Sequence, residues 1–409
     1  MEKIKILKKN YINTILYLII ILWFLFNIIA FPQNCMKAAH NGLLTWSNIV
    51  IPSLLPFFIT SELLIGLGFV DFIGILLEPA MSPIFNVSGK GAFPLTMSIT
   101  SGYPVGVKIV SNLRKNNHIT KIEAQRLLSF CSTSGPIFMI GAIATGMLNN
   151  PLISPLIIFP HYLAALTIGL IFKYYKRNVQ IKPIRYNQNI FKIALRKLFE
   201  SREKNNKPLG LLLSNAVKEG INSMLLIGGF IVFYSVLVEI LNLSNFFNSI
   251  IRKISYLFSI SNNQNALKSL ITGLFEITIG AKKIVELKEV SLLYKIIMIN
   301  FLIGWSGFSI HSQALSFLNE TDLNVRLYIF SKFLHGMFAS LYTILIYKFK
   351  YSDIVLTSFN PNFSSWDRFS FPNWINTLIS SMQLELNIII FTLLAAIIIG
   401  LINTIIKNK

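Results

Sequence analysis

The sequence is short of charge, and what it has is mostly of one sign. Only 13% of its 409 residues are charged, with 17 acidic side chains against 37 lysines and arginines. An ordinary soluble domain carries about 25% charged residues, so a water-soluble globular fold is a poor description of this chain. Cysteine is nearly absent. Cys35 and Cys131 lie far apart in unlike surroundings, which excludes a disulfide framework or a clustered thiolate metal site. Also missing are a His-Glu-x-x-His sequence, a Gly-x-Ser-x-Gly sequence and paired aspartates in apolar segments. An enzyme is therefore not expected. Neither a cofactor nor a metal is called for, although a coupling ion or proton is left open.

What the chain does have is apolar length. Hydrophobic residues make up 53% and the mean hydropathy is +0.61, which implies an all-α polytopic membrane protein, since a bilayer core of about 30 Å needs roughly 20 apolar residues per helix. Tyr11 to Phe31 and Leu386 to Ile406 are the cleanest candidates, and neither holds a charge. The basic start MEKIKILKK leads directly into the first of them, which reads as an uncleaved span. A net charge of +20 raises nucleic acid as a partner, but the basic residues gather in loops between apolar segments, and no nucleic acid is expected. Eleven of them fall between Lys173 and Lys207, which places that loop in the cytoplasm by the positive-inside rule. Within it, NIFKIALRKLF puts Phe191, Leu195 and Leu198 on one helical face with Lys192, Arg196 and Lys197 around it, a pattern that suits an anionic lipid surface or a solvated linker.

The expected organisation is a single integral membrane domain over 1–409. It comprises a first span (11–31), a first repeat (46–172), a basic linker (173–208), a second repeat (209–349), an interfacial segment (350–383) and a last span (384–409). The repeats rest on three landmarks. Ser53 and Ser223, Gly102 and Gly273, and Gly135 and Gly307 are separated by 170, 171 and 172 residues. Counting spans from a cytoplasmic start makes the repeats inverted, each with a re-entrant helical hairpin broken by Gly and Pro: SITSGYPVGVKIV (98–110) entering from inside and ITGLFEITIGAKKIV (271–285) from outside. Lys282, Lys283, Lys288 and Lys295 sit awkwardly with that orientation.

Broken segments at matching positions of inverted halves point to a transporter's midplane site. Unpaired backbone groups in hydrocarbon cost several kcal/mol each and persist only where protein, water or ligand satisfies them. A half-helix N-terminus also presents N–H groups and a positive dipole end to an anion. The candidate substrate-binding residues are Thr100, Ser101, Gly102 and Tyr103 at the first tip and Ser132, Thr133, Ser134 and Gly135 before Pro136. In the second half they are Gly273, Glu276, Thr278, Ser306, Gly307, Ser309, His311 and Gln313. Small residues there also suit close helix packing. Of the ionisable residues in apolar windows, Glu276 is read as a proton or ion carrier or as a helix cap. His311 is read as a hydrogen-bond donor to substrate or a packed polar side chain. Lys108 is expected to snorkel to the headgroups, Glu62 and Glu239 have no assigned role, and His161 is expected to be a satisfied buried histidine.

The strings SGYPVGVKIV, ITKIEAQRLLSFCSTSGPIFMIG, FEITIGAKKI and SGFSIHSQ, in that order, resemble the sporulation integral membrane protein family called YlbJ over essentially the whole chain. That family contains the nucleoside-recognition or Gate type of domain, similar to the hairpin-containing core of concentrative nucleoside transporters. The resemblance implies a place in the outer forespore membrane, a need in spore maturation and cortex formation, and movement of dipicolinic acid from the mother cell. A small anionic substrate, dipicolinate, and a bilayer with anionic headgroups are thus the expected partners, with a homo-oligomer left open. A non-transporting scaffold for spore envelope assembly and a carrier of another polar solute such as a nucleoside are the alternatives.

Overall fold

The computed structural model describes residues 2–179, 181, 189–257 and 264–351. Among them the chain is built from helices, α1 (Glu2–Ala30), α2 (Pro32–Thr45), α3 (Ile51–Gly66), α4 (Phe69–Phe85), α5 (Ala92–Ser101), α6 (Val105–Lys115), α7 (Lys121–Phe130) and α8 (Ser154–Phe172) in the first half. After the linker helix α9 (Ile190–Asn205) come α10 (Leu209–Leu243), α11 (Phe246–Leu257), α12 (Gln264–Phe275), α13 (Ile277–Glu286), α14 (Leu292–Trp305), α15 (Gly307–Leu318) and α16 (Val325–Ile346). A π-wound stretch, Ile137–Met147, continues α7 after a break. Four stretches are long and apolar enough to cross a bilayer, or six if two sharply bent helix pairs each count as one, among the described residues. The last span and all of the interfacial segment from residue 352 on lie outside the described residues.

Two hairpins organise the bundle. The first, α5 and α6, starts and ends at one face because one carboxylate holds both ends. Glu123 accepts the Ser88 N–H (3.0 Å) and the Thr120 N–H (2.9 Å), while Thr120 Oγ1 accepts the Glu123 N–H. Thr-x-x-Glu is the sequence spacing of a capping box, and Thr120 and Glu123 form one, with a third bond added. At the same face Arg126, fully buried, donates to the carbonyls of Asn86, Tyr175, Lys176 and Val179 and so fixes the start of the basic linker. Arg114 makes a two-pronged ion pair with Asp322 (2.9 and 3.0 Å), whose carboxyl it holds below the ordinary aspartate range. The second hairpin, α12 and α13, has its base at the other end. Val285 and Leu292 pack there into the cluster that also holds Met147, Leu148, Ile346 and Tyr347. Helix α16 runs from one base to the other, from Asn324 beside Gln125 to Ile346. The tips therefore approach each other from opposite faces, as the inverted arrangement requires.

Two expectations need correction. The prolines and glycines from Pro79 to Gly106 predict a chain broken throughout 72–110, but α4 is continuous through Pro79 and Pro83, and with α5 over 92–101 the breaks are confined to 86–91 and 102–104. The second hairpin turns at Glu276 and not at Gly273. Gly273 lies inside α12, where a Cβ on Gly280 would come 2.1 Å from its Cα. The two glycines let the arms of the hairpin cross backbone to backbone, which is how membrane helices gain contact without a hydrophobic driving force. Gly304 and Gly336 do the same for α14 and α16.

Lys108 does not snorkel. Its Nζ lies 2.8 Å from Glu62 on α3 and donates to Ser223 Oγ on α10 (3.2 Å), tying the second arm of the first hairpin to both helices. Removing one member of a nearly buried pair leaves an uncompensated charge, worth about 3 kcal/mol, whereas replacing both with apolar groups is close to neutral. Lys108→Met alone is thus expected to lower the thermal stability of the detergent-purified protein strongly, and Lys108→Met with Glu62→Leu to recover most of the loss.

Candidate functional site

The first tip is built on glycine. Helix α5 stops at Gly102, whose φ of +85° is open to glycine and strained for other residues, and the Tyr103–Pro104 bond that follows is cis. This turn presses against the break between α7 and the π-wound stretch: a Cβ on Gly102 would stand 2.4 Å from the Gly135 nitrogen, and one on Gly135 would stand 2.9 Å from the Ser101 oxygen. Side chains then satisfy the broken backbone. Ser98 Oγ accepts the Thr133 N–H (2.9 Å) and Thr133 Oγ1 donates to the Ser98 carbonyl (2.7 Å). The Tyr162 hydroxyl donates to the carbonyls of Ile99 and Ser134. His161 Nε2 accepts the Ser134 N–H (2.9 Å), and Lys332 Nζ donates to the Ser132 carbonyl.

The second tip is built on an acid. Glu276 is extended (φ −139°) and its carboxylate accepts the Ile279 N–H at 2.8 Å, capping α13 from its own chain. Opposite it, α14 ends at Ser306 (φ +78°) and α15 begins at Gly307, where a Cβ would lie 3.3 Å from the carbonyl oxygens of Gly273 and Phe275. Trp305 Nε1 donates to the Leu274 carbonyl across this junction (3.2 Å).

Both tips open onto one cavity of about 80 Å³, room for roughly two or three waters at about 30 Å³ each. Ser101, Gly102, Tyr103, Ser134 and Gly135 line it from the first half, and Glu276, Thr278 and Gln313 from the second. Val50, Phe138, Ile227, Ile231, Ile277 and Ile310 supply apolar wall. Ser101 Oγ, Ser134 Oγ, the Tyr103 hydroxyl and Gln313 Oε1 are buried with no hydrogen-bond partner among the described residues. Buried polar groups are ordinarily paired, so four unpaired ones around one cavity mark it as a place for a polar ligand or water. Apolar walls with a few convergent polar groups are the usual make-up of a small-molecule site.

The remaining candidates are close but not at the cavity. Ser132 and Thr133 stand behind it, Ser132 Oγ against the Tyr328 hydroxyl (3.2 Å) and Thr133 against Ser98. The Thr100 hydroxyl turns back to the Thr96 carbonyl. Ser306 and Gly307 form the second break, and Ser309 Oγ is 3.5 Å from Gln313 Nε2. His311 lies between the rings of Trp305 (4.5 Å) and Tyr328 (5.7 Å), and neither ring nitrogen has a partner among the described residues. The N–H groups at the breaks are less available than expected. Those of Thr133, Ser134 and Ile279 are taken by protein side chains, because leaving them open in an apolar setting costs too much. Hydroxyl groups are what the tips offer instead.

Three residues were not read from the sequence as part of this site. His161, expected to be a satisfied buried histidine, is one at Nε2, which holds the Ser134 N–H at the tip, while its Nδ1 has no partner among the described residues. Lys332 and His335, both fully buried on α16, were not singled out. The signal was present, because a lysine and a histidine three positions apart in an apolar span meet the same criterion that selected Glu276.

Gly102→Ala is expected to reduce folded yield and thermal stability sharply, by both its positive φ and the Gly135 contact. Gly229→Ala, with nothing within 4 Å of the new Cβ, should be neutral or stabilising by about 0.5 kcal/mol. Paired melting curves of the two purified variants check this.

The family model described as Gate, nucleoside recognition, matches residues 49–159, which takes in the first hairpin and the break that faces it. The sporulation integral membrane protein YlbJ of Bacillus subtilis (strain 168) is 38% identical over 344 residues, covering 82% of this chain and 83% of that protein. No solved structure matches the chain. A likeness of that extent, running through both hairpins, shows that the chain belongs to the YlbJ family of sporulation integral membrane proteins.

Proposed function

We propose that this protein is a membrane transporter that carries dipicolinate from the mother cell across the outer forespore membrane, in support of spore maturation and cortex formation. The observation that carries the reading is the cavity between the two tips, where three unpaired hydroxyls, on Ser101, Tyr103 and Ser134, face Glu276 and Gln313. Hydroxyl donors suit a carboxylate, and the isoleucine and phenylalanine walls suit a flat ring. A nucleoside fits less well. Of the lining side chains only Gln313 offers an amide to match a base edge. Glu276 stands where a coupling proton would be exchanged, and no catalytic step is assigned to it or to any other residue. Helix α9, with Phe191 and Phe199 exposed beside Arg196 and Lys197, is positioned to rest on anionic headgroups.

The test is uptake of labelled dipicolinate by vesicles holding only this protein, with and without a proton gradient. Uptake above that of empty vesicles is expected, and Ser101→Ala with Glu276→Gln should reduce it by at least about tenfold, since each removes a polar contact in a buried site. Spores that make both substitutions in a well-expressed, correctly placed protein yet accumulate normal dipicolinate would show a scaffold and not a carrier.

A further inference from the structure

Behind the first tip lies a buried lysine with no acidic partner. Lys332 Nζ is fully buried, donates to the Ser132 carbonyl and lies 3.2 Å from His335 Nδ1, and no carboxylate is within ion-pair distance among the described residues. The histidines beside it do not compete for that role. The Ser134 N–H can only donate, so His161 Nε2 accepts; the His161 carbonyl can only accept, so His335 Nε2 donates to it (2.9 Å). His335 Nδ1 is then the acceptor for Lys332. Both rings, stacked at 4.5 Å, are neutral in this arrangement and act as positioning residues for the lysine and the break. The other lysine near the first hairpin, Lys108, is already matched by Glu62.

The charge reaches the cavity through one side chain. Lys332 Nζ is 6.0 Å from the centre of the Tyr103 ring, and Tyr103 is cavity wall. Burial disfavours an ammonium that has no partner, and in a poorly polarisable interior, where charges are weakly screened, an opposite charge nearby restores it. Glu276 on the far tip is engaged with the N-terminus of α13.

We propose that Lys332 sets the charge of the solute: the site accepts a carboxylate because its negative charge is the counter-ion with which the buried lysine can hold its proton, and it discriminates against uncharged molecules of the same shape. This rests on the transport reading above and adds to it a specificity-determining residue that the sequence reading did not include.

The experiment compares dipicolinate with pyridine-2,6-dicarboxamide, its uncharged counterpart of similar outline, by the concentration of each that half-protects the full-length detergent-purified protein against thermal unfolding. This readout needs no turnover. Wild-type protein should be protected by dipicolinate at a concentration at least about tenfold below that of the diamide. Lys332→Met should collapse that ratio toward one by weakening dipicolinate alone, a pattern that a purely structural role, which would weaken both, does not produce. Lys332→Gln serves where the Met variant is not recovered. An unchanged ratio in a folded variant, equal weakening of both ligands, or equal protection of the wild type by the two ligands would overturn the proposal. Protection of the wild type by neither ligand would overturn the proposed function itself.

Discussion

The structure depends on the requirement that every polar backbone group inside an apolar layer find a partner within the protein. Among the described residues the helices of the two hairpins and of the segments facing them are interrupted at 102–104, 131–135, 276 and 306, and side chains patch the backbone at the first three. Ser98, His161, Tyr162 and Lys332 reach into the first pair of breaks, and Glu276 and Trp305 into the second. Because the patches come from α5, α8 and α16, the first hairpin is inseparable from the helices around it. Its glycines matter for the same reason. They bring backbone close enough to backbone for short side chains to close the remaining gap.

That requirement also explains what is left over. Once the N–H groups are taken internally, what the small cavity between the tips keeps unpaired is three hydroxyls and one amide oxygen. A site of this kind gains specificity from direction and charge more than from volume. Glu276 and Lys332 both belong to the second repeat, yet Glu276 sits at the second tip while Lys332, on α16, stands behind the first.

The two hairpins are not equally anchored. The first is held at its base by Glu123 and Arg126, along its arm by the Lys108–Glu62 pair, and at its tip by Ser98 and Tyr162. Described ties on the second are fewer, chiefly the glycine crossing and the Trp305 bond, and its tip residue caps its own helix. Local stability follows the density of such ties, so local motion is more readily found in the second hairpin than in the first.

Composition and local pattern determined a good deal. Apolar windows and the one-sided charge implied a helical membrane chain, the Thr120–Glu123 spacing its capping box, and the Gly–Pro interruptions two hairpins in inverted halves. Ser101, Gly102, Tyr103, Ser134, Gly135, Glu276, Thr278 and Gln313 were legible as candidates because polar and small residues are costly or conspicuous in apolar surroundings. Tertiary structure alone decided the rest. Whether the second turn falls at Gly273 or Glu276 depends on how the two arms cross, and the sequence offers both positions equally. That Lys108 meets Glu62, that His161 serves a backbone N–H, and that Lys332 stands behind Tyr103 are contacts between residues 27 to more than 200 positions apart. Pairings of that range are set by packing geometry, which no local pattern encodes.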